Sequence, residues 1–496
     1  MKNNSKYILN KNDSSIIDFI RNNGKTHEKQ MDPLERKRTG SYYTDLDLTD
    51  IMMEELVSYI FERNKEIWNL RFLEPCVGSG NFVFSYLRSI SKLGLSKSNL
   101  ETLINNIFVA DINTNILVEY EKMLSNFVYH YFNIKLDKNY FQTNIGSALL
   151  FDVTSENINY IKITDVFPKS IVAEGFDIVV TNPPYKNLKA ERGQYYSEAD
   201  YNIDREKYSE ISKLARSTFK YSVQGVLNLY KLFVEEIIEN YTNKDGFISL
   251  LIPSSILTDK TCSNLRTRIL EKYKIDSIKV LNEGNGYINA QQALCTLLIH
   301  KGCSTEYISM TGDFVNNPSQ TTKININDIM NPFTENSIFS VNDYEYELLK
   351  QLRLFPTVKE LDFIINLRGE LDLTANKNEI ISIDNGYPLI RGRNIGYYKL
   401  TDCNNNEFVS DDFIKKSNKL PYIKNERIIC QQVVNMKKER RITFTLVEKN
   451  KILGNSCNFI SVLDNDLNID LYAILGLFNS SIINWFFKLT SSNNHV

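Results

Sequence analysis

Phe72-Leu73-Glu74-Pro75-Cys76-Val77-Gly78-Ser79-Gly80-Asn81-Phe82 reads as an apolar strand that breaks into glycines just before a helix. Glycine lets the backbone turn sharply and approach a ligand closely, and the first N–H groups of a helix lack intrahelical partners. The stretch is either a tight βα connection or a docking place for a nucleotide-like ligand. A dinucleotide fingerprint would carry a third small residue where Val83 stands, so GxGxxG is not matched. The text around it has the rhythm of a wound α/β sheet, with short apolar runs alternating with longer amphipathic ones from about residue 40 to 300. Strands are predicted at Leu70–Leu73, Ile107–Ala110, Asp177–Val180, Phe247–Ile252, Ile278–Leu281 and Leu294–Ile299. Helices are predicted at Leu48–Arg63, Asn81–Lys92, Thr114–Phe132 and Leu227–Tyr241.

Two further strand ends carry polar residues. Ile107-Phe108-Val109-Ala110 closes on Asp111, about 30 residues after the glycine turn. A carboxylate at the end of the second strand can accept hydrogen bonds from both hydroxyls of a ribose, or can cap the helix that starts near Thr114. Phe176-Asp177-Ile178-Val179-Val180-Thr181 runs into Asn182-Pro183-Pro184-Tyr185. Both prolines lack an N–H and fix φ, so the turn is stiff and its carbonyls project in set directions. The Asn182 side-chain oxygen and the Pro183 carbonyl can each accept one N–H of an exocyclic amine, and Tyr185 can stack on the ring that bears it. Attack by such an amine on a sulfonium methyl needs alignment and charge stabilisation more than a strong base, because the leaving group is a neutral thioether.

The whole chain sets the bounds. At 496 residues it exceeds what one core usually organises. A 42% hydrophobic and 24% charged composition is that of a soluble protein, and no run approaches the roughly 20 apolar residues of a membrane span. The N-terminus, MKNNSKYILNKND, lacks a secretory signal, so a cytoplasmic protein is expected. Seven scattered cysteines and four distant histidines point to neither a disulfide framework nor a metal site. The net charge of −2 argues mildly against a nucleic-acid partner, although phosphate contact depends on local Lys and Arg placement.

With these three motifs in this order, the chain resembles the γ-type N6-adenine-specific DNA methyltransferases that accompany type II restriction endonucleases, over residues 36 to 496. The resemblance implies a class I S-adenosylmethionine-dependent methyltransferase fold: Rossmann-like α/β with a mostly parallel seven-stranded sheet, followed by a C-terminal α+β DNA-recognition domain. It implies S-adenosyl-L-methionine as cofactor and double-stranded DNA as partner, and brings with it a cognate restriction endonuclease encoded nearby. Asn182, Pro183, Pro184 and Tyr185 take the catalytic role. Gly40-Ser41-Tyr42-Tyr43-Thr44 resembles the N-terminal cofactor motif, which usually continues with Pro where this chain has Asp45. Tyr43, Thr44, Glu74, Gly78, Gly80, Asp111, Ile112, Ser147 and Asn182 are the implied cofactor ligands, with Ser147 standing where the family often has Asp or Asn. Tyr287 sits where the family stacks a second aromatic on the extruded base.

The expected domains are a polar arm over residues 1–35, too short for a fused nuclease, a catalytic domain over 36–305 and a target-recognition domain over 306–496. A Tyr- and charge-rich insert, Lys186 to Gln224, follows the catalytic turn and reads as solvated helices or as a loop over the substrate. Pro388-Leu389-Ile390-Arg391-Gly392-Arg393-Asn394-Ile395 and a closing helix from Leu471 to Leu489 resemble the TaqI-like C-terminal specificity domain. Arg391, Arg393 and the run Lys437, Lys438, Arg440 and Arg441 are candidate DNA contacts, the run also being readable as a solvated face. The rival readings are an N4-cytosine methyltransferase, an RNA or protein-amide methyltransferase, and a DNA-binding module without catalysis.

Overall fold

The computed structural model describes residues 17–18, 20–21, 43–147, 150–152, 158–288, 292–401, 406–435, 438–463 and 470–490. The expected arm therefore lies almost wholly outside the described residues. The chain divides into two compact units at Glu347 and Leu348, not at residue 305. The reason is two strands whose polar, alternating text hides them in the sequence: β10 (Tyr307–Thr311) and β11 (Thr322–Asn325) extend the sheet of the first unit.

That sheet begins with β1 (Phe72–Glu74), β2 (Ile107–Ala110) and β3 (Ile145–Gly146), and a side hairpin of β4 (Leu150–Asp152) and β5 (Asn159–Ile161) stands apart from it. Then follow β6 (Phe176–Thr181), β7 (Thr242–Pro253), β8 (Lys274–Leu281) and β9 (Leu294–His300). The order is β11-β10-β8-β9-β7-β6-β1-β2-β3. The run from β3 to β7 is parallel, and β9 is inserted antiparallel between β7 and β8. The expected seven strands are thus β3-β2-β1-β6-β7-β9-β8, with β10 and β11 added at the far edge. The fold is that of a class I methyltransferase.

Central strands carry unbroken apolar runs because both sheet faces are covered. Phe72, Leu73, Ile107, Val109, Ile178 and Val180 are all buried. The helices Leu46–Phe61 and Asn81–Ser91 pack side by side, joined by Thr49 Oγ1···Ser85 Oγ at 2.7 Å and by Arg88 on Asp50. Thr114–Phe132 is helical as predicted, and the segment from Leu229 runs helically to Glu236 and on through a π turn to Tyr241. The insert holds one long helix, Glu198–Thr218, that buries only Ile211 and Ala215. It is tied down at its far end, where the buried Glu235 carboxylate accepts the N–H groups of Lys220, Tyr221 and Ser222 at 2.7, 3.0 and 2.7 Å.

In the second unit β12 (Ile364–Arg368), β16 (Arg427–Gln431), β17 (Phe444–Val447) and β19 (Cys457–Val462) form an antiparallel sheet in the order β12-β19-β16-β17. The pairs β13 (Ile380–Ile381) with β15 (Phe408–Val409) and β14 (Leu389–Ile390) with β18 (Ile452–Leu453) flank it. At its heart the Arg427 guanidinium and the Glu370 carboxylate pair with no solvent exposure. Arg427 also donates to the Lys451 carbonyl at 2.6 Å, and Glu370 accepts the Leu453 N–H at 2.6 Å. The expected closing helix is two, Leu471–Phe478 and Ser481–Thr490. It breaks at Asn479, whose buried amide accepts from the Phe444 N–H and donates to the Phe444 carbonyl, both at 2.9 Å, as a neighbouring strand would.

Candidate active site

In an open α/β sheet, ligands settle beyond the carboxyl ends of the strands, where the strand order reverses. Here that point is β1, whose followers β2 and β3 lie on one side and β6 and β7 on the other. Glu74, Asp111 and Asn182, at or just past the ends of β1, β2 and β6, therefore come together although up to 108 residues separate them.

The glycine turn is built as the sequence requires. Gly78 and Gly80 have φ of +51° and +78°. A Cβ on Gly80 would lie 2.7 Å from the Tyr120 ring, so the left-handed turn and the close approach both need glycine. Asp111 locks this turn by accepting the Gly78 N–H at 3.0 Å through one oxygen and the Asn113 N–H at 2.9 Å through the other. Asn113, not Asp111, caps the helix Thr114–Phe132. Burial raises the Asp111 pKa, and the backbone N–H groups of Asn113, Gly78 and Ile112 oppose that rise. Ile112 beside it is 55% exposed, and Ser147 is exposed just past β3. Tyr43, Gly78, Ser79, Ile116, Tyr120 and Met123 line a cleft over the turn.

Thr44 joins this turn to the Asn182–Tyr185 turn. Its carbonyl accepts from Asn81 Nδ2 at 2.7 Å and its hydroxyl oxygen accepts from Asn182 Nδ2 at 2.9 Å. The amide of Asn182 is thereby oriented with its nitrogen toward Thr44. Asn81 is a residue that motif reading passes over, because its partner lies 37 positions away. Asp45, in the place of the family's Pro, caps the helix Leu46–Phe61 and donates its N–H to the Tyr287 carbonyl at 3.2 Å. Tyr287 is half-buried against the same core as Tyr185. The Tyr185 hydroxyl donates to the Leu251 carbonyl at 3.0 Å, and its ring meets Tyr230 edge-on at 6.4 Å. Lys186, the next residue, is buried and donates to Gln194 Oε1 at 2.8 Å, which ties the insert directly to the Asn182–Tyr185 turn.

Glu74 is buried with Oε2 meeting no donor among the described residues. Burial first, and the nearby Asp111 charge second, push its carboxyl well above the usual carboxylate range, offset in part by the Val83 N–H. A raised carboxyl stabilises the fold fully below its unfolded pKa and loses that contribution as pH rises through the folded value. Glu74→Gln, neutral at every pH, should match the wild type near pH 4 to 5, about the unfolded glutamate pKa, and exceed its thermal midpoint by a growing margin toward pH 9. Melting curves of both proteins across that range test this. A constant offset at every pH would remove the Glu74 charge from the balance.

The structure describes the surroundings of the expected DNA contacts in the second unit. Arg391 is held by Glu407 through two hydrogen bonds of 2.9 and 2.8 Å, and so is engaged within the fold. Arg440 donates to the Asn479 carbonyl at 2.9 Å and lies 4.5 Å over the Tyr397 ring, bracing the end of the helix Leu471–Phe478. Arg441 is half-buried, its Nε sealed from solvent, and burial lowers its pKa. Arg393 and Lys438 are exposed, while Lys437 lies outside the described residues. Among the described residues of the run, Arg440 and Arg441 are thus partly engaged within the fold and Lys438 is open to solvent.

Comparison with known proteins agrees with this architecture. Residues 105–286 match the Eco57I restriction-modification methylase family and residues 387–495 the TaqI-like C-terminal specificity domain. The chain is 25% identical over 339 residues to a Methanocaldococcus jannaschii protein provisionally named a type II restriction enzyme and methyltransferase, covering 64% of this chain and 25% of that one. Among solved structures it resembles DrdV in a DNA complex, with a TM-score of 0.56 at 13% identity, over 97% of this chain and 58% of the other. It also resembles the type IIL restriction-modification enzyme MmeI in complex with DNA, with a TM-score of 0.52 at 13% identity, over 95% and 69%. The chain thus spans a quarter of the curated relative and rather more than half of DrdV.

Proposed function

We propose that the protein, with one segment matching the Eco57I restriction-modification methylase family and another matching the TaqI-like specificity domain, is a restriction-modification methyltransferase that methylates N6 of adenine at specific sites in duplex DNA. The observation that carries the reading is Asn182, anchored through Thr44 beside the Gly78–Gly80 turn and Asp111.

The residues fit S-adenosylmethionine as cofactor. The turn admits no side chain at Gly80, and two acids stand beside it, one with an orphaned oxygen. When bound, S-adenosylmethionine supplies an electrophilic methyl on a cationic sulfur. In this reading Asp111 accepts from ribose hydroxyls, Glu74 and Thr44 serve the methionine end, and Ile112 offers an apolar face to the adenine ring. Tyr43 and Ser147 complete the set. Asn182 Oδ1 and the Pro183 carbonyl each accept one N–H of the target amine, which withdraws its lone pair from the ring and meets the positive charge that develops on nitrogen. Pro184 keeps that turn stiff.

An amine inside a duplex is out of reach, so the target base must be turned out of the stack at a cost of a few kcal/mol. Stacking on Tyr185, with Tyr287 as the second face, returns part of it. The biological setting of this reading is protection of host DNA in the cytoplasm beside a companion endonuclease.

Labelled methyl transfer to unmethylated genomic DNA, followed by mass spectrometry of the nucleosides, tests the proposal. N6-methyladenine is expected. N4-methylcytosine would overturn the choice of base, and label only in RNA or protein would overturn DNA as substrate.

A further inference from the structure

The hairpin after Arg393 ends in an exposed aromatic tip. An antiparallel bridge between Ile395 and Leu400 and a hydrogen bond from the Gly396 N–H to the Lys399 carbonyl, 2.9 Å, close a tight turn. At its apex Tyr397 and Tyr398 are 45% and 47% exposed, their rings 4.5 Å apart at 63°. Tyr398 has φ +60°, a left-handed conformation that a bulky side chain rarely adopts and that costs energy. Glycine would take it without strain. Neither ring belongs to the hydrophobic clusters of the second unit, and strain held at such an exposed place points to a role outside the core.

The tip is braced from behind. The Tyr398 N–H donates to the Phe444 carbonyl at 3.1 Å, and the Tyr397 hydroxyl donates to the Asn479 carbonyl at 3.4 Å while Arg440 covers its ring. The Tyr398 hydroxyl is also within hydrogen-bond reach of Tyr397 and the Asn479 side chain, so the two rings are held as one exposed unit. Arg393 and Lys399 of the same hairpin and Lys438, two residues before Arg440, are exposed, with Glu439 as the acid among them.

We propose that Tyr398, backed by Tyr397, is an aromatic wedge of the specificity domain that stacks against the bases of duplex DNA while Arg393, Lys399 and Lys438 meet the phosphates. This rests on the DNA reading above and names the residues that would engage the duplex in this domain. An aromatic face stacks on any base, cations beside it hold the backbone, and an inserted side chain opens a base step in exchange for contact.

Tyr398→Gly tests the wedge because it removes the ring and relieves the strain together. Its thermal midpoint should equal or exceed the wild type, and its S-adenosylmethionine affinity should be unchanged. Its affinity for an unmethylated mixed-sequence duplex should fall about 5- to 100-fold, the range for losing one base–aromatic stack, with the salt dependence unchanged because no phosphate contact is lost. Tyr398→Phe should bind like the wild type. A folded Tyr398→Gly with wild-type duplex affinity and methyl transfer overturns the wedge alone. So does a loss of affinity that Tyr398→Phe shares along with a lowered midpoint. A wild-type chain that neither binds nor methylates the duplex overturns the DNA reading, and the wedge with it.

Discussion

Asn182→Ala is expected to lower methyl-transfer turnover on the order of 100-fold or more, with folding and S-adenosylmethionine affinity close to wild type. The side chain stands just past β6, only partly buried, and donates to the Thr44 hydroxyl oxygen. Its loss empties no core position. What disappears is an acceptor fixed in place before reaction, where positive charge develops on the attacking nitrogen. The effect should therefore fall on turnover under saturating substrate and much less on binding. Thr44→Val, which removes the anchor but leaves the Asn182 oxygen, should lose less. Single-turnover kinetics with calorimetry of cofactor binding separate these cases, and wild-type turnover in Asn182→Ala would remove that residue from the chemistry.

Glu370→Ala should destabilise the second unit by about 3 to 5 kcal/mol, the usual result of breaking a buried ion pair from one side. Arg427 would keep its charge with no route to water, since both side chains are fully enclosed. The Leu453 N–H would lose its acceptor as well. Arg427 cannot respond by releasing its proton, because a guanidinium stays charged at any ordinary pH. Replacing both partners with apolar residues of similar volume should cost far less, because no charge is then stranded. Urea unfolding of the single and double variants distinguishes the two, and a single variant within 1 kcal/mol of wild type would contradict this account.

The central strands are legible in the sequence because burial on both faces leaves uninterrupted runs such as Ile178-Val179-Val180, and glycine and proline mark where they stop. The edge of the sheet is not. β10 and β11, Tyr-Ile-Ser-Met-Thr and Thr-Lys-Ile-Asn, alternate apolar with polar and resemble the text of the second unit, which moves the expected boundary some forty residues early. The candidate catalytic turn and the candidate ribose acid stand out in the sequence from local spacing alone. The link through Thr44 and Asn81 is not, because those contacts close over 138 and 37 residues. Charge was the least readable signal. Arg391 and Arg440 look like free cations in one dimension, and only three dimensions bring Glu407 and the Asn479 carbonyl to them.

The amide of Asn479, set against Phe444, has a consequence for how the second unit behaves among its own copies. β17 is an outer strand of its sheet, and an outer strand with open N–H and C=O groups is a template for pairing with another chain. Here both groups of Phe444 are occupied by one side chain, and its carbonyl also receives the Tyr398 N–H. A few residues on, Asn484 does the same for the N–H groups of Arg441 and Ile442, at 2.9 and 3.3 Å. The two asparagines occupy the backbone where β17 begins, so at Phe444 an incoming chain meets no free pair, and that end of the border is guarded without spending a charge on it.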